Sequence, residues 1–303
     1  MVSLYNSMIR SLLAQIHPDN AIVLDAGSSK TKLIVYKIDA NVPPLDVKDI
    51  QLQGGFKVKP GLASLAGSPS AVDSYLKPLL DAAMKIVPVA KHASTPIFLF
   101  ATAGMRLIRK RQSDAIMNKV KMLFNDKAKC PFTFNPETDV KVVSGAFEGI
   151  YAWISLNFLK GRFAPGNSGS TFGILEIGGA SHQTTFENPS KETIALTPKL
   201  HGDFFGFSGI FYAAYGTGMI NCWHCTKPLS PAMYDVSSRR FCAKKYQEVN
   251  SDPYAKNTCF SSNFVYELLS QGYGLPVNKP IEVGNQVNGF NVGWTLGAIC
   301  CII

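Results

Sequence analysis

Two short loops of the same design carry residues that could do chemistry. In "AIVLDAGSSKTKLIVYKI", Ala21 to Ile38, an apolar run ends at Asp25 and gives way to Gly27, Ser28, Ser29 and Lys30 before a second run begins at Lys32. In "FGILEIGGASHQTTF", Phe172 to Phe186, the order returns with Glu176, then Gly178, Gly179, Ala180 and Ser181, then His182 and Gln183. An ordinary hairpin needs only a turn residue at its tip. These tips add a carboxylate, glycine that lets backbone approach a ligand, and hydroxyls, an inventory that suits a metal-bound phosphate. Gly-Ser turns are also common plain tips; the second copy weighs against that reading.

The elements that must position these loops are legible in outline. Ala21 to Leu24 reads as a short buried strand and Lys32 to Ile38 as a half-alternating one. "IFLFATAGMRLI", Ile97 to Ile108, reads as a strand delivering Thr102, Ala103 and Gly104 to a helix N-terminus, where backbone N–H groups can hold an anion. In "VVSGAFEGIYAWISLNFLKG", Val142 to Gly161, a helix is predicted to pack along Phe147, Ile150, Tyr151, Ile154 and Phe158. Glu148 falls off that stripe, in the first turn. There it is either a carboxylate favoured by the helix dipole or one that orients and deprotonates water.

Composition sets the bounds. With 303 residues and 46% hydrophobic content the chain is long enough for two domains, and one similar hairpin early in each half suggests two lobes of related design. No span resembles the roughly 20 apolar residues of a membrane helix, and Arg10, His17 and Asp19 interrupt the apolar start, so no signal peptide is expected. The net charge of +9 concentrates around Arg106, Arg109, Lys110, Arg111, Lys119 and Lys121, as a solvated face or as attraction for an anionic substrate. No aromatic-basic interleaving or helix-turn-helix pattern points to nucleic acid. Seven cysteines are an odd count for a closed disulfide framework; "CWHC", Cys222 to Cys225, has metal-like spacing without a second pair and reads as a loop.

Taken in order, "DAGSSKT", "ATAGMR", "SGAFEGIYAWISLNFLKG" and "EIGGASHQTTF" resemble the conserved regions of the apyrase family, the nucleoside triphosphate diphosphohydrolases. "FFGFSGIFY", "NTCFSSNFVYELLSQGYGL" and "VGWTLGA" resemble later ones, so the likeness runs from about Ala21 to the C-terminus. It implies an α/β, actin-like (RNase H-like) fold of two lobes, each a sheet flanked by helices, with the nucleotide bound between them. The lobes are expected over 1–140, with 290–303 packing back on it, and over 141–289. By the same resemblance Glu148 is the catalytic base, and Ser181 with Gln183 holds the attacking water. Ser28, Ser29, Lys30, Thr102, Ala103, Gly178, Gly179, Ala180, Ser181 and His182 bind phosphates, and Arg106 orders the phosphate loop. Ser208, Gly209 and Tyr212 bind the base, and Asp25 and Glu176 place Ca²⁺ or Mg²⁺. A Cys242–Cys259 disulfide is implied too.

The expected activity is hydrolysis of nucleoside tri- and diphosphates, with a secretory, cell-surface or secreted location. Two departures stand against the pattern. Glu176 replaces the family's Asp, one methylene longer, and Asn188 to Asp203 stands where the family carries a longer region, so the second lobe is expected to be shortened. Neither end supplies the family's usual membrane anchor, and the chain stops within the last conserved helix at Ile303. A non-catalytic nucleotide-binding protein is the alternative reading. A kinase of the same broad fold fits less well, because it must exclude the water that Glu148, Ser181 and Gln183 look arranged to hold.

Overall fold

The structure, a computed structural model, describes residues 18–39, 46–50, 56–164, 166–167, 169–187, 200, 202–249 and 255–302. The chain start and most of the segment from Asn188 to Asp203, on which two expectations rest, lie outside them. The chain divides into two compact units, residues 1–148 with 298–303, and residues 149–297, against expected boundaries at 140/141 and 289/290.

In the first unit, β1 (Asn20–Ala26) is the centre of a sheet because nearly every one of its residues is apolar. It pairs antiparallel with β2 (Thr31–Asp39) and parallel with β5 (Ile97–Ala101), and the sheet order is β3-β2-β1-β5-β6. Here β3 is Asp46–Ile50 and β6 is Val140–Val142, and β4 (Lys57–Val58) pairs with the start of β2. Strand alternation sends Ile22, Leu24 and Ala26 into one core with α1 (Val72–Ile86) and, beyond the short α2 (Ala103–Arg106), with α3 (Lys110–Asn125). Leu76, Leu79, Leu80 and Ala83 recur at helical spacing on α1, as Ile116, Val120 and Leu123 do on α3. Asp25, of opposite parity, lies on the other side of the sheet.

The second unit repeats this start. β7 (Gly173–Ile177) pairs antiparallel with β8 (His182–Thr185) and parallel with β9 (Phe204–Ser208), in a sheet ordered β10-β11-β9-β7-β8. The outer strands are β10 (Lys227–Leu229) and β11 (Ile281–Val283), and β12 (Gln286–Val287) forms a separate ribbon with β13 (Phe290–Asn291). Leu175, Phe204, Ile281 and Val283 share a core with Ile210, Phe211, Tyr234, Val265 and Leu269. The hydroxyl of buried Tyr234 donates to the Ile210 carbonyl at 2.9 Å, which removes the cost of burying it.

Helix α4 (Gly145–Leu159) corrects the predicted stripe in part. Ile154 is buried as expected, whereas Phe147 is 56% exposed and Ile150 41%, and Glu148, Ala152, Ser155, Leu156 and Leu159 are buried along another face. The helix is apolar around most of its circumference, so its pattern does not select a face, and Glu148 heads the buried stripe instead of standing beside it. Its first turn is capped by Ser144, whose Oγ accepts from the Phe147 N–H. Further on come α5 (Gly209–Gly216), α6 (Pro231–Cys242), α7 (Ala255–Glu267) and α8 (Trp294–Ile302). Cys242 and Cys259 are disulfide-bonded as the resemblance implied, tying α6 to α7, and Cys222 and Cys225 are bonded to each other within the loop expected there. Among the described residues no helix is long and apolar enough to cross a membrane.

Candidate active site

In the first unit the hairpin tip runs from Gly27 to Lys30, closed by the pairs Ala26–Thr31 and Asp25–Lys32. Asp25 is buried at 8% exposure, and the Lys32 ammonium stands 3.4 Å from its carboxylate. Three residues brace the tip from behind. A Cβ on Gly61 would collide with the Ser28 carbonyl and one on Gly104 would lie 2.8 Å from Ser28 Cα, so only glycine lets these backbones approach. From α1, the Tyr75 hydroxyl donates to the Pro60 carbonyl at 2.7 Å and takes a hydrogen bond from Thr31 at 2.9 Å.

Beside the tip, the Thr102 N–H donates to the Ala26 carbonyl at 3.2 Å, which brings Thr102 and Ala103 to the same end of the sheet. The helix at this point is the single turn α2, so the expected helix N-terminus with its backbone N–H groups is one turn only. The tip is also more basic than its own residues suggest. Lys57 faces Lys32 directly across the β4–β2 pairing, a like-charge pair that is unfavourable unless an anion lies between. Partial burial, then repulsion from Lys32, Lys57 and Lys59, lowers the pKa of Lys30, and Asp25 opposes the shift.

Glu148 belongs to this unit. Its carboxylate is 5% exposed, and Oε2 accepts from Arg106 Nη1 and Nη2 at 3.1 and 3.0 Å. Arg106 Nη1 also donates to the Val143 carbonyl at 2.6 Å. Arg106 therefore clamps Glu148. Burial raises the Glu148 pKa, the Arg106 hydrogen bond and charge lower it, and Asp25 raises it; the net direction is upward.

In the second unit the tip runs from Gly178 to Ser181, closed by Ile177–His182 and Glu176–Gln183, with the Gly178 N–H donating to the Ser181 carbonyl at 2.7 Å. Gly178, Gly179, Ala180 and His182 are exposed. Gln183 is 5% exposed, and its Oε1 is buried with no hydrogen-bond partner among the described residues. On α4, Gly149 makes room for β8: a Cβ there would lie 2.6 Å from Thr185 Oγ1 and 3.4 Å from Gln183 Cβ. Glu176 Oε1 accepts from Ser208 Oγ at 3.2 Å. Ser208, at φ 54° and ψ −120°, occupies a sparsely populated region at the turn from β9 into α5. A Cβ on Gly209 would lie 2.8 Å from Ile177, so glycine is required for the expected base-binding segment to pack against β7.

The first unit thus gathers Asp25, Ser28, Ser29, Lys30, Thr102, Ala103 and Glu148 at one end of its sheet, and the second gathers Glu176, Ser181, Gln183, Ser208 and Gly209 at the corresponding end of its own. Lys57, Lys59, Gly61 and Tyr75 were missed as supports, as was the bond from Arg106 to Glu148. Of these only "KVKPG", Lys57 to Gly61, carries a local signal, in its alternating lysines and terminal glycine.

A sheet begun by an antiparallel hairpin, continued by a parallel strand and built twice in one chain is the duplicated actin-like fold. Solved structures agree: the type II variant of the Aquifex aeolicus Ppx/GppA phosphatase matches with a TM-score of 0.59 at 12% identity, covering 93% of this chain and 98% of that one. An exopolyphosphatase from Cytophaga hutchinsonii matches with a TM-score of 0.51 at 12% identity, covering 92% and 96%. The chain belongs to the GDA1/CD39 (nucleoside phosphatase) family, which it matches over residues 14–201 and 193–302. It is similar to mouse ectonucleoside triphosphate diphosphohydrolase 1, 31% identical over 92% of this chain and 54% of that protein. It is also similar to chicken ectonucleoside triphosphate diphosphohydrolase 5, 36% identical over 64% of this chain and 43% of that protein. The chain spans about half the length of these relatives.

Proposed function

We propose that the chain hydrolyses the terminal phosphoric anhydride of nucleoside tri- and diphosphates, with Glu148 as the general base. The observation that carries this reading is the Glu148 carboxylate: buried, raised in pKa and held on one oxygen by Arg106, in the unit that also holds the tip at Gly27–Lys30. Such a group accepts a proton from water more readily than an ordinary carboxylate does. Family membership supports the same reading.

The terminal phosphate lies on the backbone and hydroxyls of Ser28, Ser29, Thr102 and Ala103, with Lys30 countering its charge. Water attacks phosphorus in line and passes its proton to Glu148, while the bond to the bridging oxygen breaks and the shortened nucleotide leaves. Ser181 and Gln183 orient that water. The orphaned acceptor Gln183 Oε1 is suited to receiving one of its hydrogens.

Among the described residues no group of three or more His, Cys, Asp or Glu side chains could cage a metal. Single carboxylates such as Asp25 and Glu176 fit a hard ion that keeps most of its water and binds chiefly to substrate phosphates. Asp25, with Glu176, would hold Ca²⁺ or Mg²⁺ through water, and the ion would neutralise charge on the leaving oxygens. The Cys222–Cys225 and Cys242–Cys259 disulfides suit an oxidising compartment, as a cell-surface or secreted enzyme requires. The test is phosphate release from ATP and ADP with each ion; nucleotide binding without turnover in both would overturn the reading.

A further inference from the structure

Strand β4 brings two lysines to the first tip without acids to match them. Lys57 stands opposite Lys32 across the β4–β2 pairing, and Lys59 comes directly after the strand. Both are exposed, and among the described residues neither makes an ion pair. Lys30, half-buried on the tip, feels the repulsion of Lys32, Lys57 and Lys59 together, with the Asp25 carboxylate attracting it. Four ammonium groups thus gather around one short loop.

The segment that carries Lys57 and Lys59 is braced against that loop. Just before Lys57, the Phe56 carbonyl accepts from the Leu33 N–H at 2.9 Å. Just after Lys59, the Pro60 carbonyl and Thr31 share the Tyr75 hydroxyl, and Gly61 packs so closely on Ser28 that a Cβ would collide with its carbonyl. Held on both sides of the lysines, the backbone cannot swing away to relieve their repulsion. Lysine on an edge strand discourages pairing with another chain. That use needs no lysine opposite another, where like charges weaken the pairing. Repulsion retained in a braced segment beside a phosphate-binding tip calls for an anion that offsets it.

We propose that Lys57 and Lys59 are specificity-determining residues that bind the substrate's phosphate chain inward of its terminal group, and so favour triphosphates over diphosphates. The assignment rests on the hydrolase reading above, in which the terminal phosphate lies on Ser28, Ser29, Thr102 and Ala103 with Lys30 countering its charge. A triphosphate leaves two phosphates beyond the tip, and a diphosphate leaves one. Lysine ammonium groups are point charges on flexible stems, so they follow charge along the chain and read nothing of the base. The same collar therefore binds inorganic tripolyphosphate.

The test compares ATP with ADP in the double variants Lys57→Gln/Lys59→Gln and Lys57→Arg/Lys59→Arg. In the glutamine variant kcat/KM falls roughly 5- to 25-fold for ATP and by no more than about threefold for ADP. The arginine variant, which keeps the charge, keeps the wild-type ratio of ATP to ADP. Equal losses on both nucleotides, no loss on either, or an arginine variant as impaired as the glutamine one would overturn the proposal. A second measurement does not need turnover: titration calorimetry of inorganic tripolyphosphate at several salt concentrations. Wild type binds it more weakly as salt rises, whereas the glutamine variant shows lower affinity and a flatter salt dependence, because fewer charges are left to screen. That result supports the collar even if no nucleotide is hydrolysed, in which case only the hydrolase reading fails. The same affinity and salt dependence in both proteins, or no binding to wild type, rejects it.

Discussion

The hairpins at Gly27–Lys30 and Gly178–Ser181 share strand order and tip length but differ in what stands behind them. The first is braced by the Gly61 and Gly104 backbones and pinned by Tyr75, while its acid, Asp25, lies near a cation, Lys32. The second has an exposed tip, and its acid, Glu176, accepts from a serine on the neighbouring strand. Opposite the acid stands Lys32 in one and the amide Gln183 in the other. A duplicated frame has thus been divided between a rigid, basic grip suited to anchoring phosphate and an open, weakly charged loop suited to handling water.

The largest test of that division is Glu148→Gln, which keeps the shape and the hydrogen bonds to Arg106 but cannot take a proton. Turnover should fall about 10²- to 10⁴-fold with nucleotide affinity retained. Steady-state kinetics with a binding isotherm check it, and near wild-type turnover would return Glu148 to a structural role.

A pair of glycine substitutions compares the two supports directly. Gly61→Ala drives a methyl group into the Ser28 carbonyl and should lower stability by about 1–3 kcal/mol, the usual cost of overpacking, and weaken ATP binding as the tip is displaced. Gly178→Ala meets Ser181 alone, its carbonyl at 3.2 Å and its Oγ at 3.6 Å, and should cost under about 1 kcal/mol. Similar losses at both positions would show that the tips are equally rigid.

The pH profile tests the clamp. Glu148 serves as a base only when ionised, so activity is lost as pH falls through its raised pKa, and the acid limb should lie above the ordinary carboxylate range. Arg106 is what restrains that rise. Arg106→Gln removes a favourable charge from the ionised form, so the limb must move to still higher pH. A profile that only drops in height, without moving, would mean that Arg106 does not set the Glu148 pKa.

The smallest expected effect concerns the longer acid. Glu176→Asp restores the length of Asp25 and should raise activity by roughly two- to fivefold, more in Mg²⁺ than in Ca²⁺, because Mg²⁺ tolerates less departure from octahedral geometry. It also shortens the reach to Ser208, so Ser208→Ala is the control. Reduced activity in both ions, matched by the control, would show that the hydrogen bond to Ser208 outweighs metal geometry.

What the amino-acid sequence determined by itself was local. Both tips and the strands flanking them are specified within a few residues each, by turn-forming glycine and serine and by alternation, and these were legible. The motif order likewise carried the family and the fold. The buried face of α4 was not legible, because a helix apolar on nearly every side leaves the choice to whatever packs against it. Nor was the grip of Arg106 on Glu148, which lies 42 residues further on and meets it only once β5, α2 and α4 are placed. Cys222 and Cys225 show the limit most plainly: their spacing suits a metal site or a plain loop, and only the folded chain pairs them with each other. Contacts between distant segments depend on how whole elements settle together, and no short stretch of chain encodes that.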